Sequence, residues 1–192
     1  RKRALQFSQA YVNIPTSPYF QEEHFVKDEF YPTMVFYAAS NTFNVGDHTL
    51  AIKYFQEYLA TGEQKHRYNV MKYMAVSCIN VKDYEQAKRV LSDAVALNSS
   101  DYDLLTLAVN VCIETEDNRQ LQKYVSKALN LKPNDQNLMN LQGKLYEESG
   151  NYAEALKIYK SLFSKNPTSL TYAKHIALNN YNLGVLFTNK DS

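Results

Sequence analysis

The side chains able to do chemistry are few and scattered along this chain. Of the four histidines, His24, His48, His66 and His175, none stands three or four residues from another. That spacing would be needed to aim two imidazoles at a metal from one helical face. There is no HExxH element, no glycine-rich phosphate loop and no GxSxG turn, so the histidines read as packing or solvated residues. Glu147 and Glu148, near Glu154 and Lys157, could pass for paired acid and base carboxylates. On a helix surface they read instead as solvated charges with partners three positions away. Cys78 and Cys112 have neither a disulfide-framework nor a zinc spacing and read as small buried thiols. The expectation is a protein that is not an enzyme and holds no cofactor and no metal.

The elements that carry these residues are set by a period. The two cysteines lie 34 residues apart, and the same interval recurs elsewhere. Asp47, Asp83, Asp117 and Asn151, each with a side-chain oxygen able to accept a backbone N–H at a helix start, are separated by 36, 34 and 34 residues. Four residues beyond each stand Ala51, Ala87, Leu121 and Ala155. Four further come Phe55, Leu91, Val125 and Tyr159, then Tyr58, Ala94, Ala128 and Leu162. Pro133 and Pro167 close two windows, with Ser99 in the corresponding place of another. Upstream of the caps a small residue recurs as Ala39, Ala75, Val109 and Gly143, and three beyond it stand Thr42, Cys78, Cys112 and Tyr146. Small residues let two antiparallel helices approach, and large ones at helical spacing cover the seam. One such pair cannot bury its apolar face alone, so neighbours must stack. Corresponding residues on neighbouring first helices then stand about 8–10 Å apart, which puts Cys78 and Cys112 beyond disulfide reach.

The clearest window, residues 143–167, resembles the tetratricopeptide repeat: Gly143, Tyr146, Gly150, Tyr152, Ala155, Leu156, Tyr159 and Pro167 fill the places of that pattern. Met139 stands where the family usually carries Trp. The window holding Val109 and Leu121 departs most, with larger side chains at both small-residue places. The resemblance implies an all-α fold, a right-handed superhelix (solenoid) of antiparallel helix-turn-helix repeats. A single array over 1–192 is expected, with full repeats at 33–63, 69–99, 103–133 and 137–167. Residues 4–15 read as the second helix of a truncated repeat, with Phe7, Ala10 and Pro15 in the aromatic, small and closing places. Residues 168–192 read either as one long helix from Thr168 or Ser169 or as the start of a further repeat around Gly184. Residues 16–32 break the period. They are expected to be an insertion that packs Phe20, Phe25 and Phe30 onto the array, with Ser17-Pro18 starting a helix, or else a partner-binding hook. Half-repeats at both ends suggest a piece of a longer bacterial repeat protein.

Bulk properties narrow the partner. Twenty-one basic and 20 acidic residues leave a net charge of +1, without the basic footprint that nucleic acid or an anionic membrane surface would require. No run approaches the length of a membrane span. The opening Arg1-Lys2-Arg3 is not followed by the apolar stretch of a signal peptide. Aromatic-rich, loosely matching repeats resemble those of bacterial envelope-associated repeat proteins, which favours the periplasm with a targeting segment removed; the cytoplasm is the alternative.

The remaining expectation is an interaction scaffold. First helices of the resembled family line a concave groove that takes a peptide or protein segment. The corresponding places here supply Phe36, Tyr37 and Asn44, then Lys72, Tyr73 and Asn80, then Asn110, and finally Asn137, Asn140 and Lys144. Amides offer donor and acceptor together and can grip a peptide backbone, while the aromatics can act as anchors. Members that clamp chaperone tails use a Lys/Asn/Asn/Lys/Arg set. Only Lys72 and Asn110 match it here, against Val76, Asn137 and Leu141, so that reading is rejected. The alternative is an assembly role, in which the ends or the 16–32 insertion dock to other domains or to a second copy.

Overall fold

The structure, a computed structural model, describes residues 2–13 and 28–188. Among them are ten helices and no strand: α1 (Lys2–Val12), α2 (Tyr31–Asn44), α3 (His48–Ala60), α4 (Arg67–Asn80), α5 (Tyr84–Leu97), α6 (Tyr102–Glu114), α7 (Asn118–Leu131), α8 (Gln136–Glu148), α9 (Tyr152–Lys165) and α10 (Leu170–Thr188). The chain forms two compact units, residues 1–115 and 116–192. The division falls inside the window that carries Val109 and Leu121.

Local chemistry fixes the helix starts. The side chains of Asp47, Asp83 and Asp117 accept the backbone N–H three residues on, at 3.1, 3.0 and 3.1 Å, satisfying one orphan donor at each N-terminus. Asp101 and Asp135 do the same for α6 and α8. Asn151 departs from the pattern: its side chain makes no capping bond and its Nδ2 donates to Ser149 Oγ at 3.1 Å. The residue before Asp47, Asp83, Asp117 and Asn151 is left-handed: Gly46 (φ 85°), Lys82 (61°), Glu116 (52°) and Gly150 (74°). Two of the turns thus use the glycine suited to that conformation, and two impose it on residues with a Cβ.

In unit 1 each helix from α1 to α6 packs on its sequence neighbour, and the first helices also touch one another, α2 on α4 and α4 on α6. The places predicted to close the seam are buried: Ala51, Phe55 and Tyr58 on α3, Ala87, Leu91 and Ala94 on α5, with Ala39, Ala75, Thr42 and Cys78 opposite. In unit 2, α7 to α10 pack in sequence order. Ala155, Tyr159 and Leu162 centre a cluster with Met139, Tyr146, Ile158, Tyr172 and Ile176 around it. Gly143 explains the closeness: a Cβ there would lie 2.8 Å from the Tyr159 ring.

The α3–α4 connection runs from Thr61 to His66, two residues longer than the later second-to-first-helix connections (98–101, 132–135 and 166–169). It absorbs the one 36-residue interval. Tyr58 Oη holds this loop by accepting the His66 N–H at 3.2 Å.

Three end and insertion expectations meet the structure differently. On α1, Phe7 and Ala10 are exposed while Ser8 and Val12 are buried, so Phe7 does not take a buried aromatic place; Pro15 lies outside the described residues. Of the 16–32 insertion, residues 16–27 lie outside them too, including Ser17, Pro18, Phe20 and Phe25. Phe30 is 59% exposed rather than packed inward, whereas Tyr31 is buried and already begins α2. At the other end α10 is one helix, and a Cβ on Gly184 would meet nothing within 4 Å. Gly184 therefore makes no close approach to another helix among the described residues.

Candidate functional site

The first helices of unit 1 bring seven of the predicted residues onto one set of elements. Tyr37 is 52% and Tyr73 39% exposed, unusual for rings of that size. They occupy the same register position, ten residues before Asp47 and Asp83. Tyr73 is steadied from below, its ring centroid 5.1 Å from Phe43 and 6.5 Å from Phe55. Tyr37 meets Phe36 at 5.9 Å. Phe36 itself is half-buried, stacked on His66 at 4.1 Å and set against Tyr58 at 5.8 Å; it braces the long loop rather than standing free as an anchor.

Asn44, Asn80 and Asn110 are exposed. Asn80 Nδ2 donates to the Val76 carbonyl at 2.8 Å, and Asn110 lines a shallow pocket with Ile79, Tyr84, Ile113 and Glu114. Lys72 is not a free cation: its Nζ lies 2.6 Å from Asp101 Oδ2, which also accepts from Tyr68 Oη at 2.6 Å. In unit 2, Asn137 and Lys144 are exposed, and Asn140 is half-buried with its Oδ1 making no hydrogen bond among the described residues.

Asp101 was not foreseen as a hub. Burial alone would raise its carboxyl pKa. The bonds from Lys72, Tyr68 and the Leu104 N–H, with the lysine charge, outweigh that and hold it at about 2. Burial, then the same carboxylate, pushes the Tyr68 phenol upward. The usable signal was spacing: Lys72 and Tyr68 precede Asp101 by 29 and 33 residues, close to one period.

A second polar group in unit 2 corrects the reading of Glu147 as a solvated charge. Its side chain is 15% exposed and lies 3.0 Å from His175 Nδ1, and it accepts from Asn179 Nδ2. His175 stacks on Tyr159 at 4.2 Å with the rings 8° from parallel. Lys157 and Glu154 do form the surface pair expected, at 2.6 Å. Among the described residues, no group of three or more His, Cys, Asp and Glu side chains could hold a metal, and no helix is long and apolar enough to cross a membrane.

Cys78 and Cys112 are both buried and unbridged. Burial, then the Asp83 charge, pushes the Cys78 thiol up to about 12, so almost no thiolate exists at neutral pH. Neither thiol should react with a bulky disulfide reagent in the native protein within minutes, and both should react once urea unfolds it. Rapid native labelling of Cys78 would contradict its burial.

Residues 141–169 match the tetratricopeptide repeat family. A crystal structure of YrrB, described as a tetratricopeptide-repeat protein with an unusual peptide-binding site, superposes with a TM-score of 0.62 at 14% identity, over 90% of this chain and 81% of that one. This is a tetratricopeptide-repeat fold. The repeat protein from Parabacteroides merdae gives a TM-score of 0.61 at 14% identity, over 80% of this chain and 60% of that one. MamA from Desulfovibrio magneticus RS-1 gives 0.57 at 14%, over 86% and 92%. No curated protein matches the chain by sequence. The tetratricopeptide pattern accounts for the small-residue seams of α2 to α5 and for the Gly143–Tyr159 approach. Tyr37 and Tyr73 keep part of each ring in solvent while packing on Phe36 and on Phe43 with Phe55.

Proposed function

We propose that this tetratricopeptide-repeat chain is a non-enzymatic protein–protein interaction scaffold that holds a peptide or protein segment across the exposed faces of its first helices. The observation that carries the reading is the in-phase exposure of Tyr37 and Tyr73 on adjacent first helices. Large aromatics left half in water are the side chains from which binding surfaces draw most of their energy. Within unit 1, Asn44, Asn80 and Asn110 complete the proposed face as amide contacts; in unit 2, taken by itself, Asn137, Asn140 and Lys144 are the proposed counterparts. The single-array register over 1–192, the absence of a cofactor and the absence of nucleic-acid binding belong to the same proposal. YrrB offers a structural neighbour with a peptide-binding site. Pairing of Lys72 with Asp101 weakens the chaperone-tail alternative further, since a carboxylate clamp needs a free cation.

Affinity capture from the native host tests the scaffold. A Tyr37→Ala, Tyr73→Ala double variant is expected to lose the captured partner at least about tenfold while keeping its helical circular dichroism. Undiminished capture by that variant, with loss on deleting residues 16–30, would move the site to the insertion.

The assembly alternative has its own observation. On α10, Leu178, Tyr181 and Val185 are 49%, 70% and 39% exposed at helical spacing, an apolar stripe of the kind that pairs helices. If it mediates self-association, sedimentation will depend on concentration and Tyr181→Lys will abolish the dependence. A concentration-independent monomer ends this alternative.

A further inference from the structure

The turn between α4 and α5 meets the last turn of α6 across a cleft of about 260 Å³, lined by Ile79, Tyr84, Asn110, Val111, Ile113 and Glu114. Its floor is aliphatic: Val111 is 1% exposed, while Ile113 is 47% exposed at the rim. The volume falls below the roughly 300–1,000 Å³ typical of small-molecule sites. It suits a side chain carried in by a partner chain.

The preceding repeat shows what closes this place elsewhere in unit 1. Phe43 and His48 stand four before and one after Asp47, as Ile79 and Tyr84 stand to Asp83. Ser77 stands six before Asp83, as Val111 stands to Asp117. There His48 meets the Phe43 ring edge-on at 5.6 Å, and its Nδ1 lies 3.3 Å from Ser77 Oγ. Two rings and a polar contact of the chain itself thus fill the first place. In the second, Ile79 is smaller than a phenylalanine and Val111 offers Tyr84 no hydroxyl. The cleft stays open.

Charge decides which segment fits. Glu114 lines the cleft and is exposed, and its carboxylate makes no hydrogen bond or ion pair among the described residues. Asp83 and Glu85, both exposed, flank Tyr84, against Lys82 as the single cation of that turn. Unit 2 supplies an internal contrast. It has a cleft in the same register, lined by Asn118, Arg119, Gln122, Leu145, Glu148 and Ser149. Arg119 stands two after Asp117 where Glu85 stands two after Asp83, so that lining carries both signs. The unit 1 cleft is the acidic one.

We infer that the cleft between the α4–α5 turn and α6 anchors a basic protein segment, seating one large aliphatic side chain over Val111 with a neighbouring lysine or arginine on Glu114. The inference rests on the scaffold reading above and names the chemistry of its partner. Burial of the aliphatic anchor supplies affinity. Exposed carboxylates add less binding energy than selection, because they orient a cation and repel acidic competitors.

Amide proton–nitrogen spectra of the full chain, titrated to millimolar peptide, test it. Three peptides are compared: Gly-Lys-Leu-Lys-Gly, its counterpart with both lysines replaced by glutamate, and its counterpart with leucine replaced by glycine. The first should move the amides of Ile79, Tyr84 and Ile113 with saturation, at least about tenfold tighter than either counterpart. Glu114→Lys, at an exposed position that leaves the fold intact, should weaken it at least about tenfold. Ile79→Phe, which installs the ring of the preceding repeat, should close the cleft and do the same. Equal binding of the acidic or the leucine-free peptide, saturating shifts confined to other residues, or binding unmoved by Glu114→Lys each overturns the inference. So does failure of all three peptides. In every such case native-partner capture that still depends on Tyr37 and Tyr73 keeps the scaffold reading, whereas capture indifferent to both removes it.

Discussion

Replacing Tyr159 by alanine is expected to destabilise the 116–192 unit by about 3–5 kcal/mol, the cost of emptying a fully buried aromatic site. The ring is 0% exposed, lies against the Gly143 backbone, stacks on His175 and approaches Tyr172 at 6.4 Å. A unit of this size has on the order of 4–11 kcal/mol in total, so the variant should forfeit a large fraction of its stability. Glycine substitutions supply the complementary test. Gly143→Ala places a methyl 2.8 Å from the Tyr159 ring, and overpacking of a filled core should cost about 1–3 kcal/mol. Gly184→Ala, in the same unit, meets nothing within 4 Å and should stabilise by roughly 0.5–1 kcal/mol through helix propensity. Urea titrations followed by circular dichroism would show opposite shifts of midpoint. Equal shifts in one direction would mean that the Gly143–Tyr159 approach is not what closes this hairpin.

Removing the Asp101 carboxylate is expected to destabilise the 1–115 unit through three interactions at once. That one group caps α6 through the Leu104 N–H at 2.9 Å and pairs with Lys72 and Tyr68 at 2.6 Å each. Asp101→Ala forfeits the cap, about 1 kcal/mol, and leaves a partly buried lysine and phenol without their acceptor, for roughly 2–4 kcal/mol in all. Asp101→Asn keeps the capping oxygen and loses the charge, so it should fall between. The acid dependence follows from the lowered pKa. Its ordinary 3.8 drops to about 2 on folding, so unfolding takes up a proton in acid. Stability from this group is complete above the unfolded value and is lost as pH falls from about 4 to about 2, by roughly 2 kcal/mol at a side-chain exposure of 17%. Wild type should therefore lose more stability than Asp101→Asn between pH 5 and pH 2. Parallel acid limbs for the two proteins would contradict the lowered pKa.

The parts of the fold that follow from period were legible in the residues. Ala51, Ala87 and Ala155 with Phe55, Leu91 and Tyr159 had to bury because small and large alternated at helical spacing, and they do. Partnerships between polar residues were less legible, because any one polar side chain looks solvated until its neighbour on the next first helix is known. Glu147 with His175 and Asn179, 28 and 32 residues on, and Lys72 with Asp101, 29 residues on, each join one first helix to the next or to its N-cap, at separations shorter than the 34-residue period. Of the candidate site, Tyr37 and Tyr73 were named from the places of the resembled repeat, and both rings are partly exposed. Phe36 shared their neighbourhood, but its packing against His66 depends on the path of the α3–α4 loop, which no periodicity specifies. Phe7 shows the converse: an aromatic in the right place stays exposed when no described helix covers that face.

The six residues from Thr61 to His66 also say where this architecture tolerates change. Two extra residues entered there while the next caps kept their interval of 34, and Tyr37 and Tyr73 stayed in phase. The connection is mostly solvent-exposed from Gly62 to Lys65 and is pinned at its far end by Tyr58. For protein engineering it is a natural port: an epitope or a reporter domain grafted between Gly62 and Lys65 would lengthen a segment already two residues longer than its counterparts in this chain, and the cost of a longer loop grows only slowly with its length.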